Sequence, residues 1–263
     1  MEAHVDPPPL AIEQLRVVYG ERPAVDRLSL SVRPGEIYGL LGSNGAGKSS
    51  TIKSIVGLVR PVGGSIRVFG LDPIATPVAA KAQIGYVPET SLLYEALTPR
   101  EFLEFVASVR RLEARAASER IAAYATAFRL ETELEEPILT LSQGTRQKVL
   151  ILGALLHQPP LLVLDEPLHS LDPRSVRIMK ELLARYVTVP GRGVLFSTHT
   201  MEVAEQLCHR IGILDHGVLR GEGTLAELRG RVAQGDATLE EIFLRLTEEA
   251  SGVAAAVNAL EGR

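Results

Sequence analysis

Short apolar runs and amphipathic stretches alternate along most of this 263-residue chain. After a proline-bearing lead over residues 1–9, AIEQLRVVYG and LSLSVRPGEIYGLLG show the alternating or continuous apolar residues of β segments, with turn signals at Gly20 and Pro34-Gly35. The second segment runs into a glycine-rich loop. KSSTIKSIVGLV then takes helical periodicity and stops near Gly57, and PVGGSIRVFG returns as a strand after a Gly-Gly turn. From about Thr98 to Leu134 the pattern is helical, opened by Thr98, Pro99 and Glu101 in capping positions. A helix from Ser142, the strand LLVLD, a helix from Asp172, the strand GVLFST, a helix from Thr200 and the strands IGILD and VLRGEG follow. This alternation predicts an α/β fold with a largely parallel sheet, and the helical stretch reads as an inserted subdomain. Two short helices, TLAELRG and TLEEIFLRLTEE, precede an alanine-rich tail expected to fray. Neither an internal repeat nor a heptad run interrupts this order.

Composition narrows the function classes. At 46% hydrophobic residues the chain can bury one sizeable core. A net charge of -4 with acidic and basic residues intermixed leaves no basic footprint, so nucleic acid is not an expected partner. The single cysteine, Cys208, cannot close an internal disulfide and reads as a small buried hydrophobe in an apolar helix. The opening MEAHVDPPPL lacks the basic and apolar regions of a signal peptide, so a cytoplasmic location is expected. The longest apolar stretches, such as VLILGALL before His157, fall well short of the roughly 20 residues a bilayer span needs. Any service to a membrane is therefore expected from outside it.

Three segments carry candidate chemistry. The run Gly42, Ser43, Asn44, Gly45, Ala46, Gly47, Lys48, Ser49, Ser50 lies between a strand and a helix. That context separates a phosphate-binding loop from an ordinary glycine turn: the glycines let backbone N–H groups point inward, and the helix adds its positive end. Lys48 then reaches the β and γ phosphates, Ser49 offers a hydroxyl to Mg²⁺, and Ser50 can donate to the α phosphate. LLVLDEP ends an apolar strand in two carboxylates. Asp165 is the expected Mg²⁺ partner through water, and Glu166 the group that orients and deprotonates an attacking water; alone, the pair would equally read as a helix cap or a solvated edge. His199 follows another buried strand at the same sheet edge, where it can bridge the γ phosphate and Glu166 or simply cap the strand end.

LSQGTRQKV, Leu141 to Val149, resembles the signature loop of ABC (ATP-binding cassette) transporter ATPases. The resemblance runs from about Leu10 to Arg231, with Tyr19, the phosphate loop, YVPE, the signature, LLVLDEP, SLD and STH in family order. It implies a P-loop NTPase core over 10–231 with a mostly parallel sheet, an antiparallel β subdomain and a helical subdomain at about 98–157, followed by a C-terminal extension over 232–263. It also implies an ATPase using ATP and Mg²⁺, with Lys48, Glu166 and His199 catalytic, Tyr19 stacked on adenine, and Ser49, Glu89 and Asp165 at the metal. Ser142, Gln143, Gly144, Gln147 and Asp172 would face the nucleotide of a second ATPase subunit in a head-to-tail homodimer. A two-fold pair satisfies both half-sites at once. The expected partner is a separate integral membrane permease, which holds the subunit on the inner face of the cell membrane; export is expected from the resemblance of GEGTLAEL and LEEIFLRLTEE to bacterial exporters.

Two departures from the family pattern stand out: Glu89, where glutamine is commoner, and Gln143 with Thr145 in the signature. Leu92, Leu93 and Tyr94 put three apolar residues into an apparent loop. Such a cluster is either tucked beneath the helical subdomain or exposed for docking. In the family this region receives a short cytoplasmic helix of the permease. Two other functional classes carry different marks. A soluble ABC protein acting on DNA or ribosomes normally shows coiled-coil arms, zinc cysteines or two cassettes. A nucleotide sensor without turnover would not need both Glu166 and His199.

Overall fold

The computed structural model describes residues 6–232 and 237–247. Its strands are β1 Leu10–Tyr19, β2 Arg22–Val32, β3 Ile37–Leu41, β4 Gly63–Val68, β5 Ile84–Val87, β6 Leu161–Asp165, β7 Gly193–Thr198, β8 Arg210–Asp215 and β9 Val218–Gly223. Its helices are α1 Lys48–Ile55, α2 Pro77–Ala82, α3 Pro99–Val109, α4 Ala114–Phe128, α5 Gln143–Leu155, α6 Pro173–Tyr186, α7 Met201–Leu207, α8 Leu225–Arg231 and α9 Leu239–Leu246. The tail expected to fray beyond residue 247, and residues 1–5 of the lead, lie outside the described residues.

The main sheet has the order β5-β6-β7-β3-β8-β9, parallel throughout except where β9 turns back against β8. A separate antiparallel sheet runs β2-β1-β4. The largely parallel main sheet is the one expected from the alternation of elements, and the antiparallel sheet is the one the family resemblance implies. Strands buried on both faces explain the continuous apolar runs. In β3, Ile37 joins the apolar cluster containing Leu103, Ile121 and Ile151 from α3, α4 and α5. The next residue, Tyr38, faces the opposite cluster, which holds Leu15, Leu28 and Ile52 from β1, β2 and α1. Helices α7, α8 and α9 close the far end around Leu41, Ile211 and Ile213.

Local chemistry sets where the helices begin. Thr98 and Glu101 form a reciprocal capping box at α3. Ser142 caps α5 by accepting from the Thr145 amide, and Asp172 caps α6 by accepting from the Ser175 amide. Both caps sit where the sequence places helix starts.

Two elements escape the periodicity reading, α2 and the edge strand β5. With six and four residues, they are too short to express a period. Cys208 also differs from expectation: it follows α7 in extended backbone rather than sitting within a helix. Burial pushes its thiol up to about 12, which leaves it a weak nucleophile.

Strand β5 approaches α5 with no spare room. A Cβ on Gly85 would lie 2.4 Å from the Ala154 carbonyl oxygen and 2.7 Å from Pro159 Cγ. We expect Gly85→Ala to destabilise the fold by about 1–3 kcal/mol, the usual range for overpacking, lowering the melting temperature by several degrees. A thermal melt at or above the parent's would show that α5 can retreat.

Candidate active site

The parallel register brings three strand ends to one edge. Leu41 pairs with Thr198, and Asp165 with Ser197, so the segments following β3, β6 and β7 leave the sheet side by side. The loop after β3 then turns into α1 at Gly47, which adopts φ 108° and packs so tightly that a Cβ would stand 2.4 Å from the Ala24 carbonyl oxygen. A cavity of about 200 Å³ opens over this loop. Ser43 through Ser50, Glu89 and Glu166 line it together with Ala24 of β2. Gly42 lies at its root, where its carbonyl accepts from Lys48.

Lys48 is nearly buried and fully engaged. Its Nζ donates to the carbonyl oxygens of Gly42 at 2.7 Å and Ser43 at 3.2 Å, and stands 3.6 Å from Glu166 Oε1. The same Glu166 oxygen lies 2.9 Å from His199 Nδ1. Glu166 holds φ 48°, a left-handed conformation unusual for a glutamate. Its backbone is pinned there by a bond from its N–H to Ser197 Oγ at 3.0 Å, while the Ser197 hydroxyl donates to Asp165 Oδ1 at 2.6 Å. One hydroxyl thus ties the Asp165 carboxylate to the Glu166 backbone. Asp165 is buried, and its carboxyl is held above the ordinary aspartate range chiefly by desolvation, with Glu89 and Glu166 adding to the rise and the Ser197 and Ser49 hydroxyls opposing it. Ser49 Oγ donates to Glu89 Oε2 at 3.3 Å. Burial, then Asp165 and Glu89, push the Tyr86 phenol up to about 12.

The remaining expected site residues do not reach this cavity. Tyr19 ends β1 half-exposed beside the hairpin turn to Arg22, outside the phosphate loop's lining. Ser142 and Gln143 are exposed at the start of α5, with the Ser142 and Thr145 hydroxyls 2.9 Å apart. Gln147 turns inward within the chain. At 3% exposure it faces no solvent, and it accepts from Ser91 Oγ at 3.0 Å and donates to the Pro167 carbonyl at 3.3 Å. Its amide therefore joins segments within one chain. Asp172, expected at the same interface, spends its carboxylate on the α6 cap and on Lys148 Nζ at 2.7 Å, which together hold it well below the usual aspartate range.

The apolar loop divides. Leu93 packs against the core, whereas Leu92 is 81% and Tyr94 62% exposed. Tyr94 sets its ring edge-on to Phe105 of α3, with centroids 5.9 Å apart. Sequence reasoning missed Ala24, Ser197 and Ser91 at the site. Ser197 had a signal, being a hydroxyl inside an otherwise apolar strand just before His199; Ala24 had none, because its contribution is a backbone contact.

A family model described as ABC transporter matches residues 25–169. The ATP-binding protein EcsA of Bacillus subtilis (strain 168) is 37% identical over 243 residues, spanning 92% of this chain and 98% of that protein. Nod factor export ATP-binding protein I of Ralstonia nicotianae is 35% identical over 221 residues, covering 84% of this chain and 68% of that one. A solved structure described as the ATP binding subunit of an ABC transporter superposes with a TM-score of 0.86 at 35% identity, over 90% of this chain and 99% of that chain.

Desolvated Asp165 yields a prediction about the nucleotide-free protein. Because its folded pKa is raised, the unfolded chain gives up this proton at lower pH, so ionisation at neutral pH works against folding. Asp165→Asn keeps an acceptor for Ser197 and removes the charge. Its thermal midpoint without nucleotide is expected to equal or exceed the parent's by roughly 2 °C, while its ATPase activity falls. A midpoint clearly below the parent's would contradict the desolvation argument.

Proposed function

This chain belongs to the ABC transporter family as an ATP-binding, ATP-hydrolysing subunit, and from that premise we propose that the Gly42–Ser50 cavity holds the phosphates of ATP while Glu166 drives hydrolysis. The observation that carries this reading is the convergence of Lys48, Glu166 and His199 beneath the phosphate loop. Lys48 exchanges the Gly42 and Ser43 carbonyls for phosphate oxygens without further burial. Glu166, freed from the ammonium, accepts a proton from the attacking water, and His199 holds that carboxylate and contacts the γ phosphate. Because phosphoryl transfer rests mainly on positioning and charge stabilisation, these fixed groups supply most of what the reaction requires.

The donor set suits Mg²⁺. Ser49, Glu89 and Asp165 offer hard oxygens, and Asp165 sits in an excess of negative charge that a cation would relieve. Among the described residues no group of three acidic, histidine or cysteine side chains forms a ready cage, which fits an ion that takes most of its ligands from phosphates and water. When bound it would neutralise charge on the phosphates. Glutamate at position 89 retains the oxygen that a glutamine would offer and accepts from Ser49.

The site is incomplete in one chain. Ser142, Gln143 and Gly144 present the positive start of α5 away from the cavity, an anion site facing outward. Two copies arranged head to tail bring that surface over the partner's ATP, so closure and catalysis become one event. Asp172 supports this interface by anchoring α6 and, through Lys148, α5. Half-exposed Tyr19 stacks on the adenine. No helix among the described residues is long and apolar enough to cross a membrane. The transporting partner is a separate permease that holds this subunit at the inner membrane face, and the likeness to an export ATP-binding protein favours export. Leu92 and Tyr94 offer the docking surface.

Glu166→Gln keeps the side chain's shape and loses the base, so steady-state phosphate release is expected to fall by about 100-fold or more with ATP binding retained. Turnover near the parent's would remove Glu166 from this role. The docking surface has its own test. Leu92→Asp with Tyr94→Ala spares the partly buried Leu93, so melting temperature and basal ATPase should stay near the parent's while recovery with the permease from membranes drops severalfold. Undiminished recovery would place docking elsewhere.

A further inference from the structure

The docking surface does not stop at Tyr94. Its ring rests against Phe105, and Phe105 and Val109 are four residues apart on α3, so they share a helix face; both are exposed. Val109 in turn borders a hollow of about 600 Å³ between α3 and α2, where Val78 is also exposed. This end of the groove is basic. Lys81, Arg110 and Arg111 line it, and no Asp or Glu does so among the described residues. The Arg110 guanidinium is fixed there, donating to the carbonyl oxygens of Lys81 at 2.6 Å and Ile84 at 3.2 Å. Lys81 and Arg111 are exposed and have no carboxylate within salt-bridge distance among the described residues. His157, at the floor, adds no charge at neutral pH: burial, then Arg110, push it down to about 4 against the bond to the Ile84 carbonyl.

We propose that the permease segment seated on this subunit is an amphipathic helix with an apolar face on Leu92, Tyr94, Phe105 and Val109 and one or more carboxylates at the end that reaches Lys81, Arg110 and Arg111. This rests on the docking role given above to Leu92 and Tyr94. The occupant follows from continuity and charge. An apolar strip leading into three cations without a local counter-charge complements a helix that is apolar along one face and acidic at one end, and it repels one ending in lysine or arginine. The apolar contacts supply adhesion, and the charges set the register and polarity of seating. A segment in the reversed direction would leave its carboxylates against the apolar strip and the three cations unpaired. This basic end thereby selects among permeases.

The experiment compares three forms of the subunit co-expressed with its permease: the parent, Leu92→Asp with Tyr94→Ala, and Lys81→Glu with Arg111→Glu. Arg110 is left intact because its bonds brace α2 and β5. The charge reversal is expected to keep the parent's melting temperature and basal ATPase, yet lower permease recovery about fivefold; parent recovery should also fall as salt is raised. If the reversal disturbs folding, Lys81→Gln with Arg111→Gln replaces it and should lower recovery by a smaller factor. Loss in the apolar variant with full, salt-independent recovery in the charge variant overturns the acidic-end proposal and leaves docking intact. Full recovery in both overturns the docking reading as well. Binding of the isolated parent to phosphatidylglycerol vesicles but not to phosphatidylcholine vesicles, lost on charge reversal, would assign the cations to lipid and likewise overturn the proposal.

Discussion

Two opposite charges, Lys48 and Glu166, are almost wholly removed from water, and the site is built around that constraint. Their side chains are 6% and 9% exposed and stand 3.6 Å apart. An ionised group so buried costs several kcal/mol unless charge and hydrogen bonds compensate it. Compensation requires the phosphate loop to turn its Gly42 and Ser43 carbonyls toward the ammonium, and requires β7 to deliver His199 to the carboxylate. The parallel register of β3, β6 and β7 supplies both from one sheet edge. The groups proposed to act on ATP are therefore already assembled, and on that reading phosphate oxygens take the place of the two carbonyls on Lys48. Binding would then replace partners rather than create burial.

The same constraint explains what could be read from the sequence. LLVLD and GVLFST announce central parallel strands because both faces are buried, and the carboxylates and histidine that follow them can only sit at the carboxyl edge. The phosphate loop was legible for the same reason, a rigid local motif between a strand and a helix. What stayed hidden depends on contacts distant in sequence. Strand β5 exists because α5 and β6 press on it, and four residues carry no period of their own. Gln147 lies in a motif that starts with the exposed Ser142 and Gln143, but the helical turn rotates it inward onto Ser91 and Pro167. Leu92, Leu93 and Tyr94 are alike as letters, and only packing separates the partly buried middle residue from its exposed neighbours.

That buried glutamine also joins the subunit's two tasks. The Ser91 end of its bond belongs to the loop carrying Glu89 and Leu92, and the Pro167 end directly follows Glu166. Helix α5 itself begins at Ser142, on the surface assigned to the partner's nucleotide. One amide thus touches the docking loop, the catalytic segment and the signature helix. On the proposed reading, a displacement of α5 on dimer closure would reach the docking loop through these hydrogen-bonded atoms.

On the proposed reading one chain holds halves of two different sites, so that the ATP site is complete only between two copies. Light scattering on the Glu166→Gln subunit measures this directly. With ATP and Mg²⁺ the mass should rise from that of the 28.4 kDa chain to twice that value, and adding Ser142→Arg to fill the partner's phosphate space should abolish the rise. A protein that remains at the mass of a single chain in saturating ATP and Mg²⁺ would contradict the account.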